Sequence, residues 1–399
     1  MVIRRFRWPR ADGQGWQHRW TRWVAFICIF LLGTSVQVSC GATTGDATGG
    51  RAKNPATIWG LAGPYTGVNL SDAYRRGVRA VLVEASWAAA ERSPGRFDHA
   101  YLEQLITQVR TYRSMGFKVA LNYGLQDAPD WLMKLPGARF VNQYGTAYTD
   151  ARVPDLIFNT TLRSFAQAYT KKILDLLGPL VYLVRVGGGY QGELDYPPPV
   201  SGEPVDQYWA YGPVAQRSAP EPGWRPCTRG RPGTARAFLT WYLASLLDYQ
   251  QWQIQSVRNV YQGQIAILYP GVGFTAAQER QALSDNLCGR TVAEQAGAFA
   301  RGLDQADQVS ALSGPGLLPY STGVDNPVDI DQLGQLAAQH HLQLAGENKG
   351  FNDAAEMKSA VQGARRWHLT SFFWIRAQQA YCHCNGLATI EDYQYDIGR

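Results

Sequence analysis

The chain has 399 residues, of which 45% are hydrophobic and 18% charged. That balance excludes a disordered chain and leaves room for one large α/β domain, or two small ones, around a sizeable core. The formal net charge is +6, but residues 1–39 carry six Arg and one Asp, a balance of +5, which leaves +1 for the remainder. The basic excess therefore belongs to the N-terminal segment and gives no reason to expect a nucleic-acid partner.

Arg4, Arg5, Arg7, Arg10, Arg19 and Arg22 precede an apolar stretch from Trp23 to Val38. At about 16 residues it is short for a membrane span. Followed by small residues and Cys40, it has the layout of a signal peptide over residues 1–39. The run Val38-Ser39-Cys40-Gly41 resembles a bacterial lipobox, with Gln37 where Leu is usual, so Cys40 is the expected lipidation site. Ordinary cleavage nearby and an uncleaved anchor are the alternatives. Residues 40–54, rich in Gly and Thr, read as a flexible tether. The expected location is extracytoplasmic, secreted or lipid-anchored at the cell surface, with membrane contact only through that anchor.

Residues 55–399 read as one domain in which strands alternate with amphipathic helices, the pattern of a parallel sheet. Expected strands are 56–61, 79–85, 117–123, 181–186, 264–269, 316–320, 342–345 and 369–375. The run RAVLVEA is nearly all apolar, as a strand covered on both faces should be. Helices are expected over 101–115, ending at Gly116, and over 162–176, where Leu162, Phe165, Tyr169, Ile173 and Leu176 fall on one face. Further helices follow at 235–261, 276–308, 330–340 and 354–367. A Pro-, Gly- and aromatic-rich loop spans about 195–233. Eight strand–helix units of this kind specify an α/β fold, a (β/α)8 TIM barrel with enlarged βα loops. A doubly wound open sheet is the runner-up. It loses weight because no GxGxxG follows the first strand and no GxxxxGK[ST] occurs.

Beyond Cys28 and Cys40, four cysteines remain: Cys227, Cys288, Cys382 and Cys384. In an exported protein they are expected to form two disulfides. Cys382 and Cys384 look too close to pair with each other, so each is expected to reach Cys227 or Cys288. A metal site on Cys382, His383 and Cys384 lacks a second ligand pair at zinc spacing. The expectation is no metal and no organic cofactor.

Two glutamates carry the chemistry. Glu193 closes VYLVRVGGGYQGE and Glu347 closes LQLAGE, each where an apolar run breaks into a Gly-rich turn. In a (β/α)8 barrel the active site lies at the C-terminal ends of the strands. These two would stand at strands four and seven and face one pocket. A pair of carboxyls in unequal environments, one protonated and one ionised, is what cleavage of a glycosidic bond requires. A salt-bridged loop residue and a helix cap are the bland alternatives for Glu193 and Glu347.

SWAAAERSPGRFDHAYLEQLI (86–106) resembles the W-x-x-x-E-x-x-x-G-x-[FY]-D segment of retaining glycosidases of clan A, notably the β-galactosidases of families 42 and 35. GFKVAL (116–121) and APDWL (128–132) continue that likeness in order. YQGELDYPPP (190–199) resembles the G-E-L-R-Y-P segment of β-amylases, family 14, whose Glu is the general acid. Clan A usually has Asn before its acid, where this chain has Gly192. AGENKG (345–350) matches the setting of the strand-seven carboxylate in both groups.

The resemblance implies a glycoside hydrolase acting on a carbohydrate substrate, with Glu193 as acid and Glu347 as nucleophile or base. Retention follows from the longer likeness, and inversion from the β-amylase-like segment. A carbohydrate-binding lipoprotein on an inactive barrel is the non-enzyme alternative. Trp374 would serve as a platform under the sugar, as clan A enzymes often use a Trp there. Arg376 would orient Glu347 or bind a hydroxyl. Trp87, Asn122, Tyr123, Tyr196, Tyr269 and Asn348 are further candidates for substrate contact, and Glu91 is expected to tie its loop down.

Overall fold

The structure is a computed structural model that describes residues 56–204, 206–288 and 293–398. The expected signal peptide, the tether and Cys40 lie outside the described residues. Eight strands form a closed parallel barrel: β1 (Ile58–Ala62), β2 (Ala80–Glu84), β3 (Lys118–Asn122), β4 (Leu183–Val186), β5 (Gln264–Tyr269), β6 (Leu317–Ser321), β7 (Ala345–Glu347) and β8 (Ser371–Trp374). Each pairs with the next in sequence, and β8 closes on β1 through Ile58 opposite Ser371. The expected (β/α)8 barrel is the fold.

Alternation along each strand divides the core in two. Ala80 and Leu82, Ala120, Leu183, Ala266 and Leu268, Leu318 and Tyr320, Ala345 and Phe373 fill the barrel interior. Their neighbours Val81 and Val83, Val119 and Leu121, Val184, Ile265 and Ile267 face outward and pack beneath the helices. That double burial is why these strands read as unbroken apolar runs. The helices start at side-chain caps: Asp98 on Tyr101 N–H for His99–Ser114, Asn159 on Leu162 N–H for Thr160–Leu177, and a reciprocal Asp353–Glu356 box for Ala354–Arg366.

Three expectations change. The region 276–308 is broken into separate helices, Ala276–Ser284, Ala293–Ala300 and Gln305–Ser310. Strand β7 starts at Ala345, later than read, because Leu342 still closes the preceding helix through its N–H to Ala337. The cysteines pair as Cys227–Cys288 and Cys382–Cys384, correcting the expected long-range pairing of the C-terminal two. Cys382 ends a short helix, and His383 takes φ 48°, reversing the chain so that the two Cα atoms lie 5.2 Å apart. That distance is ordinary for a bridged pair. The bridge also takes up both thiols of the rejected metal reading.

The long loop after β4 has its own core. Tyr208 and Trp209 are fully buried in it, the Tyr208 ring against Phe238 and Tyr242 of the helix Thr234–Arg258 and the Trp209 ring against Tyr148, with the Trp209 backbone N–H donating to the Tyr242 hydroxyl. The Cys227–Cys288 bridge ties this loop to the segment that follows Ala276–Ser284.

Candidate active site

The alternation that fills the barrel with apolar side chains changes character at its C-terminal rim. Glu84 continues the inward face of β2, Asn122 that of β3, Arg185 that of β4 and Glu347 that of β7. Glu84 stands opposite Asn122, and Asn122 opposite Arg185, so the three share one level of the barrel. Four polar side chains at consecutive inward positions are not packing residues. They mark the floor of a polar mouth at the face where such barrels place their sites.

Glu347 is buried at 6% exposure and grips Arg185 with both oxygens, Nη1 to Oε2 at 2.8 Å and Nη2 to Oε1 at 2.9 Å. The Tyr320 hydroxyl on β6 donates a third bond to Oε2 at 3.1 Å, and the same guanidinium lies 4.7 Å from the centre of the Tyr320 ring. Burial pushes the Glu347 carboxyl up. The Arg185 charge, its hydrogen bonds and the Tyr320 hydroxyl pull it down, while Glu193 pushes it up again. The two-pronged contact is the one an ionised carboxylate makes. Glu347 in turn holds Arg185 charged against its burial.

Glu193 follows β4 on a turn that folds back on itself. Gly192 takes φ 86°, in the left-handed region, directly before it. That conformation favours glycine at this position. A Cβ at Gly187 would lie 2.2 Å from the Gly192 carbonyl oxygen, and one at Gly189 would lie 2.5 Å from Asp195 Oδ1. The glycine run therefore lets the backbone pass close behind Glu193.

Arg301 donates from Nη2 to Glu193 Oε2 at 3.1 Å. It also donates from Nε to Asp195 Oδ2 at 2.9 Å, and Nη2 reaches the same oxygen. Thr322, just after β6, also helps to draw Glu193 down. Burial pushes Glu193 up against the Arg301 charge, and pushes Asp195 up to about 7.

The expected site residues separate into two groups. Glu193, Glu347 and Asn122 come together at the mouth. Tyr123, Tyr196, Tyr269 and Trp374 do not, because each sits on the outward face of its strand or beneath the loop. The Tyr196 hydroxyl donates to the Tyr242 carbonyl and its ring stacks at 3.9 Å on Tyr242, while the Tyr269 hydroxyl donates to Gln250. Trp374 is buried against Tyr393, so the inward platform expected of it is corrected: Phe373 is the β8 residue that points inside.

Trp87 is buried too, stacked on Tyr169 and donating to Glu91, which also accepts from Gly95 N–H and so ties the loop. Asn348 is fully buried and joins the β7 loop to β8, donating to Asn352 and accepting from Ile375 N–H. Arg376 packs 3.8 Å from the Phe351 ring centre, and the cation that holds Glu347 is Arg185 instead.

Sequence reasoning missed Glu84, Arg185, Asp195, Arg301 and Thr322. For Glu84 and Arg185 the signal was available: a lone charge at an inward position of an otherwise apolar strand. Arg301 lies in a helix–loop stretch whose distance from Glu193 only the fold reveals. Among the described residues no group of three or more His, Cys, Asp or Glu could hold a metal ion.

No family model matches the chain, and no curated protein matches its sequence. Solved structures do match its fold. The catalytic domain of a β-amylase from Paenibacillus polymyxa superposes with a TM-score of 0.66 at 15% identity, covering 86% of this chain and 99% of that one. A β-galactosidase from the psychrophilic Marinomonas ef1 matches with a TM-score of 0.56 at 13% identity over 86% of this chain and 59% of its own. One from the haloarchaeon Halorubrum lacusprofundi gives 0.57 at 13% identity over 86% and 58%. The chain thus spans about three fifths of those two β-galactosidases. At these identities the likeness concerns the fold: the chain is a TIM barrel like those of this β-amylase and these β-galactosidases.

Proposed function

We propose that this protein is a glycoside hydrolase that cleaves an O-glycosidic bond between Glu193 and Glu347. The observation that carries the reading is their placement. One carboxyl, Glu193, stands on the turn after β4 and the other, Glu347, ends β7, each is held by its own arginine, and their charges act on one another. Neither arrangement helps the barrel pack, because a buried ion pair replaced by apolar side chains is often as stable or more so.

Glu193, with a side chain 14% exposed, donates its proton to the leaving oxygen as the bond to the anomeric carbon breaks. Glu347 is the opposing carboxylate. Its two oxygens offer about four lone-pair positions. Arg185 takes one on each oxygen and Tyr320 a second on Oε2. The position left open is on Oε1, the atom assigned to attack the anomeric carbon. A water then adds to that carbon, gives its proton to Glu193 and releases Glu347. This retaining course is supported by the clan A likeness of residues 86–132. The inverting course, with Glu347 activating water, is supported by the β-amylase-like segment around Glu193.

We place the enzyme outside the cytoplasm, with Cys40 as its lipid anchor. The two disulfides support an oxidising compartment. The substrate is a carbohydrate. The deciding experiment is a panel of aryl glycosides with wild type, Glu193→Gln and Glu347→Gln. At least one glycoside should be hydrolysed, with a loss of about 10²–10⁴-fold in Glu193→Gln on substrates that need protonation. Activity undiminished in both variants rejects the assignment. The anomer released first, followed by proton NMR, separates retention from inversion.

A further inference from the structure

The β-amylase-like segment reads G-E-L-D-Y-P in this chain, with Asp195 where those enzymes have Arg. A negative charge thus stands two residues from the candidate acid. The fold supplies a cation from elsewhere, Arg301, and the three groups form a closed set. Arg301 gives Asp195 Oδ2 both Nε and Nη2, and gives Glu193 only the longer Nη2 contact, 3.1 Å. The Asp195 side chain is fully buried, whereas that of Glu193 is 14% exposed. One carboxylate lies beneath, bound to the guanidinium by two nitrogens. The other lies above, facing the mouth, with a weaker share of the same charge.

We propose that Glu193, Asp195 and Arg301 hold one proton between the two carboxyls, that Asp195 takes the arginine's charge, and that the proton therefore stays on Glu193, ready for donation. Asp195 is a positioning residue, because it acts through Arg301 and does not face the mouth. The inference rests on the hydrolase reading only where it calls the proton useful. The sharing itself follows from geometry: two buried negative charges beside one positive leave one uncompensated, and taking up a proton costs less than burying that charge.

Among the described residues no second cation neutralises Glu193 or Asp195 at contact distance. Thr322 carries no charge though it helps to draw Glu193 down, and Arg185 acts on Glu193 from a distance while committed to Glu347. Around Asp195 the backbone of Tyr190 approaches, and Tyr148 lies within electrostatic reach of both Asp195 and Arg301. The upward push on both carboxyls agrees with a pair that titrates as a unit.

The test needs no substrate. In protein labelled with [δ-¹³C]glutamate, the Glu193 signal is identified by its disappearance in Glu193→Gln. In wild type it should titrate well above the ordinary glutamate range. In Asp195→Asn, Arg301 is released to Glu193 and the midpoint should fall by about 1–3 pH units, while Asp195→Glu should restore it. A wild-type midpoint in the ordinary glutamate range near ~4.3 overturns the proposal. So does an unmoved midpoint in a folded Asp195→Asn. If Asp195→Asn does not fold, the wild-type titration decides alone. Hydrolysis of 4-nitrophenyl glycosides is a separate arm, in which the alkaline limb of kcat/KM should follow the titration. A shared proton without hydrolysis would end the hydrolase reading and leave the carboxyl pair standing.

Discussion

Arg185 and Glu347 face each other across the barrel interior through two parallel hydrogen bonds of 2.8 and 2.9 Å, with side chains only 4% and 8% exposed. Strands β4 and β7 are not neighbours, so the pair spans the mouth. Removing one partner strands the other as a buried charge. Arg185→Ala is expected to lower unfolding stability by about 3–5 kcal/mol and to lower hydrolysis by releasing Glu347. Arg185→Lys keeps the charge but cannot reproduce the fork, so its stability should lie between the two. Urea unfolding of the three proteins is the check. A cost below about 1 kcal/mol for Arg185→Ala, the range of an exposed pair, would mean that the pair is not buried in solution.

Stability should fall as pH rises from about 4 to about 7, and Asp155 is the clearest reason. It is 2% exposed, in the loop before the helix Thr160–Leu177. Burial pushes its carboxyl up to about 7, against the N–H groups of Phe158 and Ile157 and the charge of Arg163. The folded state therefore keeps a proton that the unfolded chain, with a carboxyl near ~3.9, has already released. Stability is fully present below the unfolded value and is lost through the folded one, at up to about 1.4 kcal/mol per pH unit. Asp304 and Asp329, each raised to about 6 by burial, act in the same sense. Asp98, held low by the Tyr101 N–H, and Asp72, held low against its burial by Arg76, lose their contribution only at still lower pH. Urea midpoints at pH 5 and pH 8 should favour pH 5, and Asp155→Asn should narrow the gap. A wild type equally stable at both would contradict this account.

The barrel was legible because its strands are covered on both faces. Runs such as AVLVE, KVALN and QIAILY have no amphipathic alternative, and the observed strands fall within or beside the expected ones. The two glutamates were legible as carboxylates where an apolar run ends. The aromatic candidates were not, because which face a residue at a strand end takes depends on register. Trp374 and Phe373 are adjacent, and one residue of slip exchanges them. Arg301 was invisible for another reason, since 108 positions separate it from Glu193 and nothing local marks it as a partner. The misplaced cysteines show the same limit in reverse: a pair two residues apart is bridged by a local backbone reversal at His383 that composition does not announce.

The glycine run before Glu193 should be intolerant of any side chain. A Cβ at Gly189 would meet Asp195 Oδ1 at 2.5 Å, the Asp195 carbonyl oxygen at 2.6 Å and the Glu193 carbonyl oxygen at 2.6 Å. Two of those contacts are backbone, so the turn itself has to move. Gly189→Ala is expected to displace Glu193 from Arg301 and to cut hydrolysis by about 10²-fold, the scale of a misplacement near 1 Å. Its thermal midpoint should fall only by the few degrees expected of a local distortion. Unchanged kcat in Gly189→Ala would show that Glu193 does not depend on this turn.

The two disulfides should differ widely in their effect on stability. Cys227–Cys288 closes a separation of 61 residues and joins the loop after β4 to a distant segment. On the chain-entropy account a loop of that length is worth about 4 kcal/mol. Cys382–Cys384 closes a separation of 2, and its exposed turn restricts the unfolded chain very little. The double variant Cys227→Ser/Cys288→Ser should therefore lose several kcal/mol in urea unfolding, and Cys382→Ser/Cys384→Ser well under half of that. The loop after β4 also carries Tyr208 against the helix Thr234–Arg258 and the buried Trp209 against Tyr148, so the first variant should expose tryptophan as well. Its fluorescence should shift to the red before global unfolding. If the second variant proves the less stable, the bridge between Cys227 and Cys288 is not what secures this loop to the barrel.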